Sequence, residues 1–306
     1  MSLDGIVSRR DFLRVAGPAI AIPLAIDSLE AQRKVLPTIS NVRNGLISPD
    51  QYFNYQLSEI PEAAKAKSSG MLQGILFNPS DQELRTDLRR AYQQRTSSEL
   101  DLNRIINSDI EGYRNVLRIG GLATVTGSDA GLIGNPIARY ILVNGAILKS
   151  PKIQKDADVQ SALRHELEHI NDFYNGVQFG RVILSSNNAD NFSPEFFGAL
   201  SELRATYTEL REIYRKMLQS GLPLGSGFPS EKVLPVSRVY FETKIFEYVV
   251  CLINLEKSAK NSFEKEVHGL QFRAFRDIWF DYKDANSINF HLDLFGTKYS
   301  VPITLK

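Results

Sequence analysis

Two of the chain's four histidines, His165 and His169, stand one helical turn apart with Glu166 directly after the first, in the order His-Glu-x-x-His. On a helix, positions i and i+4 share a face, so two imidazoles so placed can aim at one point and share a divalent cation such as Zn²⁺. A carboxylate beside the first imidazole can reach water at that cation without binding the metal, which is the place for a general base in metal-assisted hydrolysis. With so few histidines, a shuffled chain would show this order only about once in several hundred tries, so spacing favours a metal site over coincidence. The rival reading keeps the same helix with a structural or vestigial metal site, or none, in a binding or scaffold protein.

This chemistry needs a helix, and residues 156–176 predict one. Asp156 or Asp158 can cap its start, no proline interrupts it, and Gly176 stands where a left-handed C-cap belongs. Val159, Leu163, Leu167, Ile170 and Tyr174 form its apolar stripe, with Arg164, Glu168, Asn171 and Asn175 on a polar one. The histidines occupy a third face. Upstream, Tyr140–Val143 reads as a strand, and Asn144-Gly145 followed by Ala146–Leu148 predicts a primed-turn hairpin. A second helix begins at Ser193, a good N-cap, with Pro194 in its first turn.

The motif His165-Glu166-x-x-His169 on this helix, shortly after a strand, resembles the zincin metallopeptidases. The metzincin continuation is absent, because Asp172, Phe173 and Gly176 fall where its third histidine pattern would run. Glu202, 33 residues after His169, opens Glu202-Leu203-Arg204-Ala205, which is similar to the Glu-x-x-Ala of the gluzincin type. The resemblance implies one Zn²⁺ held by His165, His169 and Glu202, with Glu166 as general base and a peptide or protein substrate paired in extended form along Tyr140–Val143. Glu195 is the second choice of ligand, although an acid in a first turn is expected for the helix dipole alone. Glu209 and Glu212 read as solvated partners of the neighbouring basic residues. Several gluzincins carry an aspartate one turn beyond the ligand glutamate that steadies a zinc-bound histidine; here that position is Thr206. Asp172 could stand in, but reads more simply as a surface acid. For the oxyanion, His268, Tyr207, Tyr214 and Tyr240 remain open.

The predicted fold is therefore α+β, a mainly helical, zincin-like catalytic domain with a small mixed sheet above the His-Glu-x-x-His helix. A helical part at 32–118 would precede the zinc-site core at 119–220, and a helical part ending in a hairpin would occupy 237–306. Helical periodicity runs over 49–69, 80–94 and 99–117, and again over 237–284; strands are expected at 122–126, 288–294 and 299–305. The Gly-rich piece 120–134 lacks the order of a phosphate loop, and residues 223–235 read as a surface linker.

Charge is nearly balanced, with 36 basic and 35 acidic residues, so nothing points to nucleic acid. The lone cysteine, Cys251, excludes an internal disulfide and a cysteine-rich zinc cluster, and its apolar neighbours suggest a packed thiol. At the start, Ser8-Arg9-Arg10-Asp11-Phe12-Leu13 matches a twin-arginine export signal. The apolar run 15–26 follows, broken by Pro18 and Pro23 and short for a membrane span. Residues 1–31 are thus expected to be a signal or an N-terminal membrane anchor engaging the twin-arginine machinery, and the protein extracytoplasmic, either periplasmic or secreted.

Overall fold

The computed structural model describes residues 37–93, 99–127, 139–179, 182–220, 231–274, 278–284, 287–294 and 297–304. The twin-arginine segment, residues 128–134 of the Gly-rich piece and most of the linker after the second helix lie outside the described residues. Among the described residues, no helix is long and apolar enough to cross a membrane.

Proline punctuates the N-terminal helices α1 (Ile39–Arg43), α2 (Pro49–Ser58) and α3 (Pro61–Ser68). The periodicity predicts one helix over 49–69, but Pro61 starts a new one, because proline lacks the amide a continuing helix needs and suits a first turn. Ser48 and Gln51 close a capping box on α2. Strand β1 (Gly74–Phe77) leads into α4 (Asp81–Tyr92), capped by Ser80 and Glu83, and then α5 (Glu99–Ile119).

The mixed sheet is built from β1, β2 (Ala123–Val125) and β3 (Tyr140–Val143), in the order β1-β3-β2. Strand β3 runs parallel to β1, with Ile75 opposite Ile141, and antiparallel to β2, with Thr124 opposite Leu142. Its side chains alternate between two cores, as strand geometry requires. Ile141 and Val143 join the main core, while Leu142 joins Leu84, Leu88, Ile105 and Ile106 beneath the α4–α5 pair. Because β3 is paired on both sides, it cannot accept a substrate strand; β2 is the edge strand on the side of the motif helix.

The expected hairpin after β3 is instead a 3₁₀ turn, Gly145–Leu148. The Gly145 amide donates to Asn78 Oδ1 at 2.7 Å, and a Cβ there would lie 1.9 Å from Asn78 Nδ2. Gly145 thus serves a close approach rather than a primed turn.

Helix α6 (Asp156–Asn175) carries the motif. Neither Asp156 nor Asp158 caps it; Lys155 holds the N-cap position without a side-chain bond. Both acids make tertiary contacts instead. Tyr52 Oη donates to Asp156, and Ser237, the N-cap of α8 (Arg238–Ser258), donates its amide and hydroxyl to Asp158. Gly176 ends α6 at φ 77°, where a Cβ would strike the Leu184 carbonyl.

Helix α7 (Pro194–Gln219), capped by Ser193 with Pro194 in the first turn, packs along α6, and α8 packs along α7. Phe196, Leu200, Leu203, Leu210, Phe241 and Ile245 bury the shared seam. The strands β4 (Val177–Phe179) and β5 (Val182–Leu184) pair antiparallel between α6 and α7.

The helical pattern predicted through 284 stops earlier. Helix α8 ends at Ser258, α9 spans Ser262–Ala274, and β6 spans Ile278–Asp284. The aromatic run Ile278-Trp279-Phe280 suits a strand, and it pairs with β7 (Ser287–Leu294), which pairs in turn with β8 (Thr297–Thr304) as the expected final hairpin. The architecture is α+β and mainly helical, with the small mixed sheet against the helix that bears the motif.

Candidate metal centre

Helices α6 and α7 run antiparallel, so His165 faces Glu209 while His169, one turn on, faces Ser201. Between these pairs Glu202 reaches both imidazoles, its two oxygens each 3.4 Å from a different Nε2. The two Nε2 atoms are 3.1 Å apart. Thus the structure brings together His165, His169 and Glu202, the three residues expected as ligands.

The arrangement suits a metal on two counts. Ligands at about 2.0–2.1 Å from a tetrahedral centre stand roughly 3.3–3.4 Å from one another; the two Nε2 atoms are 3.1 Å apart and each lies 3.4 Å from its own oxygen of the Glu202 carboxylate, so one ion would have all three side chains within reach. The second count is the protonation pattern. Glu209, an acceptor, lies 3.2 Å from His165 Nδ1, so that nitrogen carries the proton. Ser201 Oγ donates to Asp172 at 2.8 Å and therefore accepts from His169 Nδ1 at 2.9 Å. Both Nε2 atoms then face each other and two carboxylate oxygens, a set of acceptors that only a shared proton or a metal cation can bridge.

Electrostatics follow the same lines. Burial and the Lys244 ammonium oppose a charge on His165, but Glu202 and Glu209 outweigh them and lift its pKa to about 10. His169 is raised too: burial opposes, and Glu202 prevails. Burial would raise the Glu202 carboxyl, yet His169 and His165 hold it well below the usual carboxylate range. Every one of these shifts records a place that favours positive charge.

Glu166 lines the same cleft, and burial raises its carboxyl against the pull of the two histidines. A raised carboxylate is a stronger base than a free one, as proton abstraction from water requires.

Two residues taken for surface acids turn out to be buried supports. Glu209, read as solvated, is fully buried; it accepts from His165 and from Tyr240 Oη, with Lys244 Nζ at 3.4 Å. Burial would raise its carboxyl, but Lys244, His165 and Tyr240 bring it down to about 2. Asp172 is fully buried as well, tied to Ser201 and to Arg204, and burial raises it to about 6. Thr206 holds neither histidine, since both Nδ1 atoms are already engaged. Glu209 sits two turns beyond Glu202 on the same face of α7, a spacing of seven that was the available sequence signal.

The other expected roles separate cleanly. Glu212 pairs with Arg215 and Arg164 on the far side of α7, and Glu195 lies in the exposed first turn. Of the four candidates for the oxyanion, Tyr240 lines the cleft, while Tyr207 and Tyr214 pack in the core and His268 belongs to α9. Cys251 is half-buried, and burial pushes its thiol up to about 12, unlike a nucleophile.

The cleft itself has a volume of about 810 Å³. Its floor is the histidine pair with Glu166 and Glu202, and one wall is the C-terminal end of α5 running into β2, from Val116 to Val125. The opposite wall is α8, through Val239, Tyr240, Lys244 and Glu247.

No protein-family model, no curated protein and no solved structure matches the chain.

Proposed function

We propose that the protein is a zinc-dependent metallopeptidase of the gluzincin type, hydrolysing peptide bonds in the cleft between β2 and α8. The observation that carries this reading is the convergence of His165 Nε2, His169 Nε2 and the Glu202 carboxylate on one point beside the buried Glu166. A Zn²⁺ held there by His165, His169 and Glu202 would supply Lewis acidity, letting water lose a proton near neutral pH and polarising the scissile carbonyl.

The chain's own residues would do the rest. Glu166 takes the proton from the attacking water and hands it to the departing amine nitrogen, acting first as base and then as acid. Glu209 and the Ser201–Asp172 pair fix both imidazole tautomers, leaving each Nε2 as the donor atom. Substrate would lie along β2 rather than β3, adding a strand at the sheet edge that borders the cleft. The likeness of residues 8–13 to a twin-arginine export signal supports an extracytoplasmic setting.

A structural or vestigial metal in a scaffold protein is the rival. Structural zinc sites are closed by four protein ligands, whereas this trio opens onto a large cleft next to a carboxylate that bonds to neither histidine. The decisive variant is Glu166→Gln. It should keep one equivalent of zinc by elemental analysis while cleavage of a peptide library, read by mass spectrometry, falls by at least about a hundredfold. Cleavage at the wild-type rate would remove Glu166 from its role, and zinc-free purified protein would remove the metal.

A further inference from the structure

The lining of the cleft is not uniform in chemistry. Along the antiparallel pair, Arg164 faces Glu212, His165 faces Glu209, His169 faces Ser201 and Phe173 faces Phe197. Ascending α6 therefore means descending α7. Phe173, one turn beyond His169, comes level with Gly198, one turn before Glu202, and both line the cleft. Along the α8 wall stand Tyr240, Lys244 and Glu247. The Phe173–Gly198 end is apolar and small, the α8 wall charged.

Gly198 lies inside a 26-residue helix, where glycine is the least favoured residue after proline. Its neighbours do not demand it, for a Cβ at Gly198 meets nothing within 4 Å. At Gly145 and Gly176, by contrast, a Cβ would collide at 1.9 and 2.6 Å. What glycine achieves at 198 is empty space on the cleft side of α7, one turn from a metal-facing carboxylate. Phe173 supplies the matching surface: its ring rests against Phe197 at 6.1 Å and is almost wholly buried, with the remainder forming cleft wall.

We propose that Phe173 and Gly198 frame a specificity subsite that admits an apolar, preferentially aromatic, side chain of the substrate next to the bond being cut. The proposal rests on the metallopeptidase reading and names its preferred substrates: peptides with a Phe, Tyr or Leu flanking the cleaved bond. Phe173 offers a ring edge for aromatic packing, and the missing side chain at 198 offers the room.

The test uses zinc-loaded full-length protein, with zinc content measured, and two ligands that share one metal-binding group, acetohydroxamate and phenylalanine hydroxamate, titrated by calorimetry. Wild type should bind the phenylalanine derivative more tightly by at least about tenfold, the scale set by burying one aromatic side chain. Gly198→Leu should cost that derivative about tenfold or more and leave acetohydroxamate within about twofold. Gly198→Ala, which adds only a Cβ in open space, should melt higher than wild type and retain most of the preference. Equal affinities in wild type, or equal losses for both ligands in Gly198→Leu, would overturn the subsite and leave the metal reading standing. Failure of zinc-saturated wild type to bind either ligand would overturn both.

Discussion

The helix pair α6 and α7 carries charge on two opposite faces, and the two are organised differently. The outer face is a groove of about 680 Å³ lined by Glu59, Glu62, Glu168 and Glu212 against Arg164, Arg211, Arg215 and Lys216. The signs match in number, and the groups meet directly: Arg164 lies 3.5 Å from Glu212, and Arg215 lies 2.6 Å from it. The inner face does not balance. Lys244 is shared between Glu209 and Glu247, and Arg204 answers Asp172, which leaves Glu202 and Glu166 with only the two imidazoles beside them. A face that neutralises itself is surface; a buried face with acceptors in excess is a binding site.

If the inner face is a site, its supports should tune metal affinity. Glu209→Gln keeps the volume but removes the negative charge that His165 Nδ1–H meets at 3.2 Å. Zinc affinity, measured by competition with a chromophoric chelator, should fall about 10–100-fold, or roughly 1.4–2.7 kcal/mol. An unchanged affinity would mean that Glu209 merely fills space around Lys244, and the contrast between the two faces would lose its sharpest evidence.

Glu264 separates burial of a carboxylate from excess of acceptors. It is buried, like the inner carboxylates, but its oxygens meet backbone amides: Ser193 N at the start of α7, and Lys260 N and Asn261 N at the start of α9. Amide donors satisfy it fully, so no cation is called for, and it acts as a cap shared by two helices. Burial would raise its carboxyl, yet these amides hold it below the ordinary glutamate value. The folded pKa being depressed, its stabilising contribution is complete above the unfolded value of about 4.3 and is lost as pH falls through the folded one. Glu264→Gln should lower stability at neutral pH by about 1–2 kcal/mol in denaturant titration. It should also flatten the loss of stability between wild type at pH 6 and at pH 3, with zinc affinity at pH 7 unmoved. A loss that persists undiminished at pH 3 would argue against the charged cap.

The difference between the faces was only half legible in the sequence. Both imidazoles, Glu166, the start of α7 and the end of α6 follow from local rules: the i, i+4 spacing, Ser193 before Pro194, and Gly176 at positive φ. The meeting of Glu202 with both histidines was anticipated from the Glu-x-x-Ala pattern. What local rules missed were contacts between elements. A glutamate set among arginines on α7 looks solvated until α8 covers it, so Glu209 and Glu212 read alike although one is buried against His165 and the other lines the outer groove. Asp158 looks like an N-cap until Ser237 is found above it. Sheet order is equally non-local: that β3 lies inside, leaving β2 as the edge, depends on β1 arriving from before residue 80. The break at Ala259 and the turn to strand at Ile278 were obscured by aliphatic and aromatic residues that suit a helix core and a strand equally.

The outer face supplies the smallest expected effect and the control for the rest. Glu212 is ringed by Arg164, Arg215 and Lys216, and hydrogen bonding to Arg215 leads the causes that lower its carboxyl. Such a network looks important in a contact diagram, yet its half-buried groups keep access to solvent and Arg215 is exposed, so ordering long side chains and solvent screening offset much of the attraction. Glu212→Gln should therefore change stability by no more than about 0.5–1 kcal/mol and leave zinc affinity within about twofold. The measurement is the same chelator competition used for Glu209→Gln. Glu209 and Glu212 stand three residues apart on one helix, so a comparable loss in both variants would show that the affinity answers to the net charge of α7 rather than to the hydrogen bond at His165. A loss confined to Glu209 would assign the effect to that bond, since a purely long-range field would act on the site from either position.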